Sequence, residues 1–153
     1  MKIRIELDEQ ITEEEVVIRC QSLTEEIQDI QRAIRDRISK KQRLVFYKGD
    51  TEYYLPLDSI LFFETEEKNV CAHTADNVYQ VRYRLYELEE ILPGHFMRIS
   101  KSTILNTDKV LSISRNLTAS SVVEFWNTHK QVYVSRYYYK PLKLKLEEKR
   151  NQG

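Results

Sequence analysis

The sequence predicts a mostly β domain that is preceded by a small α+β segment. From residue 44 onward, short apolar runs alternate with turn-forming pairs such as Gly49-Asp50 and Asp76-Asn77. Helical periodicity occurs in only three places, at residues 23–38, 85–92 and 136–149. Frequent turns with few helices are typical of a mostly β fold. The 153 residues suffice for one domain with a small appendage.

Composition places the chain among globular proteins, because 41% of its residues are hydrophobic, 31% are charged and only three are Gly. It contains no run of 18 apolar residues, and its charged start does not fit a signal peptide. We therefore expect a cytoplasmic protein that is not itself a membrane protein. Cys20 and Cys71 form no close pair, so we expect two reduced, half-buried strand residues and no disulfide framework or zinc site.

The charged residues are unevenly distributed along a chain whose formal net charge is zero. Residues 94–153 contain 11 Lys and Arg against four Asp and Glu, whereas residues 44–93 contain four against ten. A locally positive region attracts a polyanion, and an acidic region elsewhere limits unspecific adhesion. The distribution thus favours a nucleic-acid partner although the net charge does not.

Residues 1–43 are expected to form a strand–strand–helix segment. Ile3, Ile5 and Leu7 alternate with charged residues, which predicts a strand over Lys2–Leu7, and a second strand is expected over Glu15–Cys20. Ser22-Leu23-Thr24-Glu25 has the pattern of a capping box. The helix that follows carries one apolar stripe, formed by Leu23, Ile27, Ile30, Ile34 and Ile38.

This segment is too small to bury a core of its own. It either packs on the following domain or pairs with a second copy through the stripe or a strand edge. Dimerisation is slightly favoured, because a DNA-binding protein gains avidity from it. Ser39–Arg43 is polar and charged, as in a linker. We accordingly divide the chain into residues 1–43, for dimerisation or docking, and residues 44–149, the main domain.

Residues 44–135 predict a succession of strands. Leu44–Lys48 and Glu52–Leu55 flank Gly49-Asp50 as in a hairpin. Leu85, Leu88 and Leu92 indicate a short amphipathic helix that ends at Pro93. Residues 136–149 are expected to be helical, since no partner strand follows and Pro141 is acceptable in a first turn. Further strands are expected at Ile60–Glu64, Val70–Thr74, Val78–Tyr83, Lys109–Ser114, Ser121–Trp126 and Gln131–Ser135.

Residues 96–106, Phe-Met-Arg-Ile-Ser-Lys-Ser-Thr-Ile-Leu-Asn, stand out among these elements. Their apolar members Phe96, Ile99, Ile104 and Leu105 can be held in a core, while the polar residues between them face outward. Arg and Lys carry positive charge to a phosphate, Arg can also bond guanine, and Ser hydroxyls can bond phosphate oxygens. The outward residues are Arg98, Ser100, Lys101 and Ser102. They form a candidate polyanion-binding loop, although a solvated turn between strands would have the same pattern.

Together with the preceding Ile60-Leu61-Phe62-Phe63-Glu64 and the following Val132-Tyr133-Val134-Ser135-Arg136-Tyr137, this stretch resembles the LytTR family of bacterial DNA-binding domains. The resemblance covers roughly residues 44–147. It implies an elongated, mostly β domain that reads successive major grooves of double-stranded DNA from loops and strand ends, without a recognition helix. The implied function is a sequence-specific transcriptional regulator.

The resemblance assigns DNA contacts to three loops. Arg136 is the best candidate for base reading, since its guanidinium can bond guanine O6 and N7 together, and Asn69 could read adenine. Lys101 stands where the family often has His or Asn, so phosphate contact is expected of it. Lys68 and Tyr137 belong to matching positions, and Arg98, Ser100, Ser102 and Lys140 are expected to contact the DNA backbone. Each of these residues also has a plain structural interpretation, as a hairpin turn, a solvated charge or a boundary aromatic.

Well-known members of the family carry an amino-terminal receiver domain, which 43 residues cannot supply, so phosphorylation is not expected. The chain looks similar to short members, some of which a membrane protein sequesters. We therefore expect regulation by abundance, by homodimerisation or by a membrane-bound regulatory partner.

Three other functions are compatible with parts of the sequence. An enzyme could use Cys71 with His73, or Ser100 with Lys101, but no residue is spaced to orient them and no phosphate-binding Gly loop or metal motif occurs. Neither a catalytic site nor a cofactor is therefore expected. A protein-interaction module, an adaptor or antagonist on the same fold, is the main alternative. Single-stranded RNA binding through Tyr137, Tyr138 and Tyr139 is weaker.

Overall fold

Ten strands and three α-helices make up the part of the chain that this computed structural model describes, residues 1–41, 44–115 and 120–152. The helices are α1 (Glu25–Lys41), α2 (Leu85–Ile91) and α3 (Arg136–Gln152). The strands are β1 (Phe46–Lys48), β2 (Thr51–Tyr53), β3 (Phe62–Glu66), β4 (Asn69–His73), β5 (Val78–Val81), β6 (Phe96–Arg98), β7 (Thr103–Asn106), β8 (Val110–Arg115), β9 (Ser121–Phe125) and β10 (Gln131–Val134). The mostly β fold predicted from the sequence is confirmed.

The strands form two antiparallel sheets. The larger sheet has the order β2-β1-β5-β4-β3-β7-β6, and the smaller has the order β10-β9-β8. In the larger sheet Glu66 lies opposite Asn69, Val70 opposite Val81, and Glu64 opposite Thr103. The β3–β4 turn, the end of β5 and the connection from β6 to β7 therefore lie at the same end of this sheet.

Strand β3 is buried on both of its faces at its first two residues, Phe62 and Phe63. Phe63 packs in one core, which α2 covers with Leu85 and Leu88. Phe62 points into a second core, which the smaller sheet and Leu142 of α3 cover. A strand covered on both faces has no solvent side to alternate with. This explains why the sequence around β3 reads as an uninterrupted apolar run.

The predicted turns of residues 44–135 are confirmed. Gly49 joins β1 to β2 with φ 61°, a left-handed conformation that glycine adopts without a side-chain penalty. Between β4 and β5 the Thr74 hydroxyl accepts a hydrogen bond from the backbone N–H of Asn77 at 3.0 Å. Helix α2 ends at Ile91, two residues before Pro93, as its pattern indicated.

The two amino-terminal strands were wrongly predicted. Residues 1–24 form no strand in the structure, and Ile3 and Leu7 are 93% and 94% exposed. A strand needs a neighbouring strand to satisfy its backbone hydrogen bonds, and within the described residues no neighbour reaches this segment. Cys20 is exposed and lies outside any strand, whereas Cys71 is buried on β4; both are free thiols.

Helix α1 is present, but it begins later than the predicted capping box. The Thr24 hydroxyl, not that of Ser22, accepts from the backbone N–H of Ile27 at 3.3 Å. The Thr24 carbonyl also accepts the first helical bond, from Gln28 at 3.0 Å. The predicted linker Ser39–Arg43 is helical as far as Lys41, and its last two residues lie outside the described residues.

Helix α3 begins at Arg136, so Pro141 lies in its second turn instead of the predicted first turn. Because proline has no N–H, the carbonyl oxygen of Tyr137 lacks its usual helical partner there. No helix of the described ranges is long and apolar enough to span a lipid bilayer.

Candidate nucleic-acid interface

The loop between β6 and β7, residues 99–102, is rigidly seated. Ile99 has no exposed surface, and its backbone N–H donates to the Thr103 carbonyl at 3.0 Å. The Ser102 N–H donates to the Ser100 hydroxyl at 3.2 Å. Lys101 lies exposed at the tip. The apolar anchors are therefore buried as predicted, but of the four polar residues only Lys101 is exposed, and Arg98, Ser100 and Ser102 are half-buried.

Arg98 has a different position from the one its sequence pattern suggested. Its Nε donates to the Ser100 carbonyl at 2.6 Å, and its two terminal nitrogens contact the Lys101 carbonyl and the Glu89 carboxylate. Only 20% of the side chain is exposed. The guanidinium thus holds the loop from within, and little of the side chain is exposed.

Backbone hydrogen bonds tie this loop to both of its neighbours. The Thr65 N–H of β3 donates to the Ser102 carbonyl at 2.8 Å, and the Ser135 N–H, one residue before α3, donates to the Ile99 carbonyl at 3.0 Å. Backbone pairing of this kind fixes the relative position of segments that are far apart in sequence. The three predicted loops are brought to one end of the molecule.

Lys68 and Asn69 lie at the β3–β4 turn and both are exposed. Glu67 precedes them with φ 58°, a left-handed conformation that few residues other than glycine adopt. The tight turn makes Asn69 the first residue of β4, opposite Glu66. Its amide is therefore carried by a strand, and Lys68 is carried by the turn itself.

Arg136, Tyr137 and Lys140 project from the first turns of α3, and all three are exposed, Tyr137 by 81%. Tyr138 and Tyr139 instead pack against the second core. The three adjacent tyrosines therefore do not form one stacking platform, as the structural interpretation of this run anticipated.

Sequence reasoning missed two basic residues at the same end. Arg82 and Arg84 follow β5 directly and are exposed. With Lys68, Asn69 and Lys101 they line an open groove of about 480 Å³. The guanidinium of Arg82 lies 4.0 Å from the centre of the Tyr47 ring, in a cation–π contact. The available signal was an Arg-Tyr-Arg run immediately after a strand.

We call residues 67–69, 82–84, 99–102 and 135–140 together the loop end. The groove joins the first three of these segments, whereas Arg136, Tyr137 and Lys140 lie outside it and adjoin residues 99–102 through the bond from Ser135 to Ile99. The exposed cations of the loop end are Lys68, Arg82, Arg84, Lys101, Arg136 and Lys140. The loop end can therefore offer several positive charges to an extended polyanion at once.

Cys71 and His73 share a face of β4 with Glu66 of β3, as the strand alternation predicted. Burial and the neighbouring Glu66 carboxylate raise the pKa of the Cys71 thiol to about 11, so the nucleophilic thiolate is disfavoured at neutral pH. Burial and the nearby Lys130 ammonium lower the pKa of His73, whose ring contacts Glu66 at 3.2 Å and Lys130 at 3.3 Å. The side chains of Glu66, Cys71, His73 and Lys130 form a hydrogen-bonded cluster on one face of the β3–β4 hairpin.

Comparison with known proteins adds a family match. The sequence profile of the LytTr DNA-binding domain matches residues 50–147. A solved LytTr DNA-binding domain from Bacillus cereus superposes with a TM-score of 0.62 at 22% identity, covering 69% of this chain and 95% of that one. The likeness to that structure shows a shared fold.

Two proteins of Staphylococcus aureus, both named as uncharacterized HTH-type transcriptional regulators, are similar in sequence. The one from strain MSSA476 is 32% identical over 149 residues, which cover 95% of this chain and 98% of that protein. The one from strain MRSA252 is 34% identical over 106 residues, covering 69% and 71%. Within the described ranges, strands separate every helix from the next, so this fold is not a helix-turn-helix.

Proposed function

The chain belongs to the LytTR family of DNA-binding domains, and from this premise we propose that it is a transcriptional regulator that binds specific double-stranded DNA sites through the loop end. The main-chain bonds from Thr65 to Ser102 and from Ser135 to Ile99 are the observation that carries the proposal. They hold three polar loops in fixed relative positions, which a reader of successive groove segments requires.

The proposed roles follow from side-chain chemistry and exposure. Arg136 and Asn69 read base edges, guanine and adenine respectively, because their planar groups can make two hydrogen bonds to one base. Lys101 contacts phosphate, since an ammonium is a point charge without a fork. The remaining exposed contacts to the DNA backbone come from Lys68, Arg82, Arg84, Tyr137 and Lys140.

Arg98, Ser100 and Ser102, the other polar residues of the central loop, are half-buried. Arg98 acts as a positioning residue, because its guanidinium is occupied by the Ser100 and Lys101 carbonyls and the Glu89 carboxylate. The Ser100 hydroxyl accepts from Ser102 and keeps its own proton for a phosphate oxygen. Ser102 is half-buried beside Ser100, and we propose that it makes a weaker contact to the DNA backbone than Ser100 does.

The proposal includes action in the cytoplasm as a homodimer. Control by a membrane-bound regulatory partner stays a prediction. No catalytic step is assigned to the chain, since the most reactive candidate, Cys71, is a buried thiol whose pKa lies well above neutral.

A binding titration across a salt series tests the proposal. The purified chain is mixed with duplex fragments from the region upstream of its own gene, with shuffled duplexes of the same composition and with the single strands. We expect one duplex to bind on the order of a thousand-fold more tightly than shuffled DNA, with log affinity falling linearly against log salt.

Equal affinity for all duplexes would refute sequence specificity, and a preference for single strands would refute duplex reading. Absence of any salt-sensitive binding would leave the fold as a protein-interaction module. Lys48→Ala is a matched control, because Lys48 is an exposed cation at the opposite end of the sheet, where it bonds Asn77. The Lys48→Ala variant should bind each duplex and each single strand with the same affinity as the wild type.

A further inference from the structure

Helix α1 contacts the rest of the chain through a polar flank. The Arg35 guanidinium donates to the Asp108 carboxylate at 3.1 Å. Gln28, Gln31 and Arg32 lie on the same flank, where they line an open cavity of about 300 Å³ together with Lys149 and Asp108. The side-chain bond that attaches α1 to the domain is thus an ion pair with polar surroundings.

The apolar stripe of α1 is left largely without a partner. None of its five members belongs to either core of the domain. Leu23 and Ile38 are 43% and 44% exposed, and the other three are only half-buried. Ile34 and Ile38 border a second open cavity of about 910 Å³, whose other walls include Ile91, Leu92 and Pro93, so open space separates this part of the stripe from the domain. The stripe members are Leu23, Ile27, Ile30, Ile34 and Ile38.

The spacing of the stripe is that of a helix-pairing seam. Within α1, Ile27, Ile30 and Ile34 follow at steps of three and four residues, the alternation of the a and d positions of a heptad. Successive residues are rotated by about 100° around a helix, so Ile30 lies on the side of the stripe that is turned away from the Arg35 flank. A second helix can approach from that side while the ion pair with Asp108 remains.

The charges on that free side are self-complementary. Glu26 near the start of α1 and Arg37 near its end are eleven residues apart, and therefore project in nearly the same direction. Both are exposed, and neither forms an ion pair within the described parts of the chain. In an antiparallel pair of α1 helices, Glu26 of each copy lies near Arg37 of the other, whereas in a parallel, in-register pair the two residues lie at opposite ends of the seam and cannot meet.

We propose that α1 pairs antiparallel with α1 of a second copy, with Ile27 of each helix opposite Ile34 of the other. This inference refines the homodimer of the proposed function, but its observations do not involve the loop end. A two-fold pair of this kind is an isologous interface, in which each surface is its own complement. It joins two loop ends in one molecule and so supplies the avidity that a single copy lacks.

The segment before α1 supports a second copy as the occupant. Ile3, Ile5 and Leu7 are all more than four-fifths exposed in an extended stretch with the alternation of a strand. In a single chain this stretch is exposed and the α1 stripe is at most half-buried, and both lie within residues 1–41. Apolar surface of this extent is uncommon on a monomer and marks an interaction site.

Sedimentation equilibrium of the full chain over a concentration range is the experiment. The wild type should be dimeric, and Ile30→Glu should be monomeric with an unchanged circular dichroism spectrum, because Ile30 contributes to neither core. Glu26→Lys and Arg37→Glu should each raise the dimer dissociation constant roughly tenfold, since two symmetric contacts become repulsive. The double variant E26K/R37E should restore it.

Asp36→Lys provides the matched control. It makes the same change of charge on α1 as Glu26→Lys, but at an exposed position on the side opposite the stripe, and it should leave the dissociation constant unchanged. A monomeric wild type, or a dimer that survives Ile30→Glu, would overturn the proposal. Failure of the double variant to restore pairing would overturn the antiparallel orientation.

DNA binding separates this proposal from the proposed function. Monomeric Ile30→Glu should retain salt-dependent binding to a short duplex through its single loop end. If the wild type paired as expected but bound no DNA, the proposed function would fail and the helix pairing would stand.

Discussion

The backbone N–H of Ser135 donates to the carbonyl oxygen of Ile99 at 3.0 Å, although 35 residues separate the two in sequence. Ile99 has no exposed surface, so one end of this bond is fixed in the second core. The other end stands one residue before Arg136. A single main-chain contact thereby sets the distance between the central loop and the proposed base reader, and four substitutions at the loop end test that arrangement.

Arg136→Ala should reduce the preference for the specific duplex while leaving general duplex binding. Loss of a bidentate guanine contact removes about 1–3 kcal/mol of discrimination. Arg136 is exposed and makes no core contact, so the free energy of unfolding should change little. Competition binding with single-base variants of the site measures the effect, and unchanged discrimination would show that Arg136 does not read a base.

Lys101→Ala should weaken binding to all duplexes by a similar factor. If Lys101 contacts one phosphate, the slope of log affinity against log salt should become shallower by about one. Lys101 is exposed at the loop tip and its backbone carbonyl, which Arg98 contacts, survives the substitution. A salt titration gives the slope, and a slope equal to that of the wild type would remove Lys101 from the interface.

Arg82→Ala and Arg84→Ala should each lower affinity without altering sequence preference, because both residues are proposed to contact the DNA backbone. Arg84 is the sharper test, since the Arg82 guanidinium also stacks on Tyr47 and its removal can cost packing. The same salt titration measures both variants. If neither affinity nor slope changed, the DNA surface would not extend to the residues after β5.

Arg98→Ala should weaken DNA binding and stability together, although Arg98 is not proposed to touch DNA. The substitution removes the guanidinium that contacts the Ser100 and Lys101 carbonyls and Glu89. Hydrogen bonds to a charged group typically contribute about 1.5–3 kcal/mol, so a loss of this order is expected in urea unfolding. Glu89→Gln removes only the peripheral partner and serves as the milder comparison. Weaker DNA binding with full stability would instead indicate that Arg98 contacts DNA directly.

The sequence predicted best those elements whose hydrophobic pattern indicates which of their side chains are buried. The apolar run around Phe62 and Phe63 and the anchors Ile99 and Ile104 are buried as expected, because hydrophobic periodicity states which side of a segment faces a core. The proximity of the three loops could be stated from the sequence only through the family resemblance, since hydrogen bonds such as that of Ser135 depend on the folded topology.

The failures arose where the outcome depends on a neighbour. Alternation at Ile3, Ile5 and Leu7 indicates a half-buried strand but not which strand would pair with it, and the single chain supplies none. Arg82 and Arg84 were missed because they belong to the acidic stretch 44–93, whose summed charge conceals two cations at one strand end. Local position at a sheet end carries information that segment totals do not.

His95 gives the fold a pH dependence that one substitution can isolate. The residue is 3% exposed, its ring packs 4.8 Å from that of Phe96, and neither ring nitrogen has a hydrogen-bond partner. Burial, with smaller contributions from Arg35 and Lys149, lowers the pKa of His95 from 6.5 to about 4. Between these values the unfolded chain binds the proton and the folded chain does not. The contribution of neutral His95 to the free energy of unfolding is therefore fully present above pH 6.5, and it is lost as the pH falls from 6.5 towards 4.

His95→Leu should consequently flatten the pH profile of stability. In the wild type, His95 should make the free energy of unfolding about 2 kcal/mol lower near pH 5 than near pH 7.5. Leucine has no proton to gain, and because the ring nitrogens have no partners, no hydrogen bond is lost. Urea unfolding at both pH values measures the difference, with His129→Gln as a control at an exposed histidine. An equal loss of stability on acidification in wild type and His95→Leu would show that other groups, such as the carboxylates, produce the acid sensitivity.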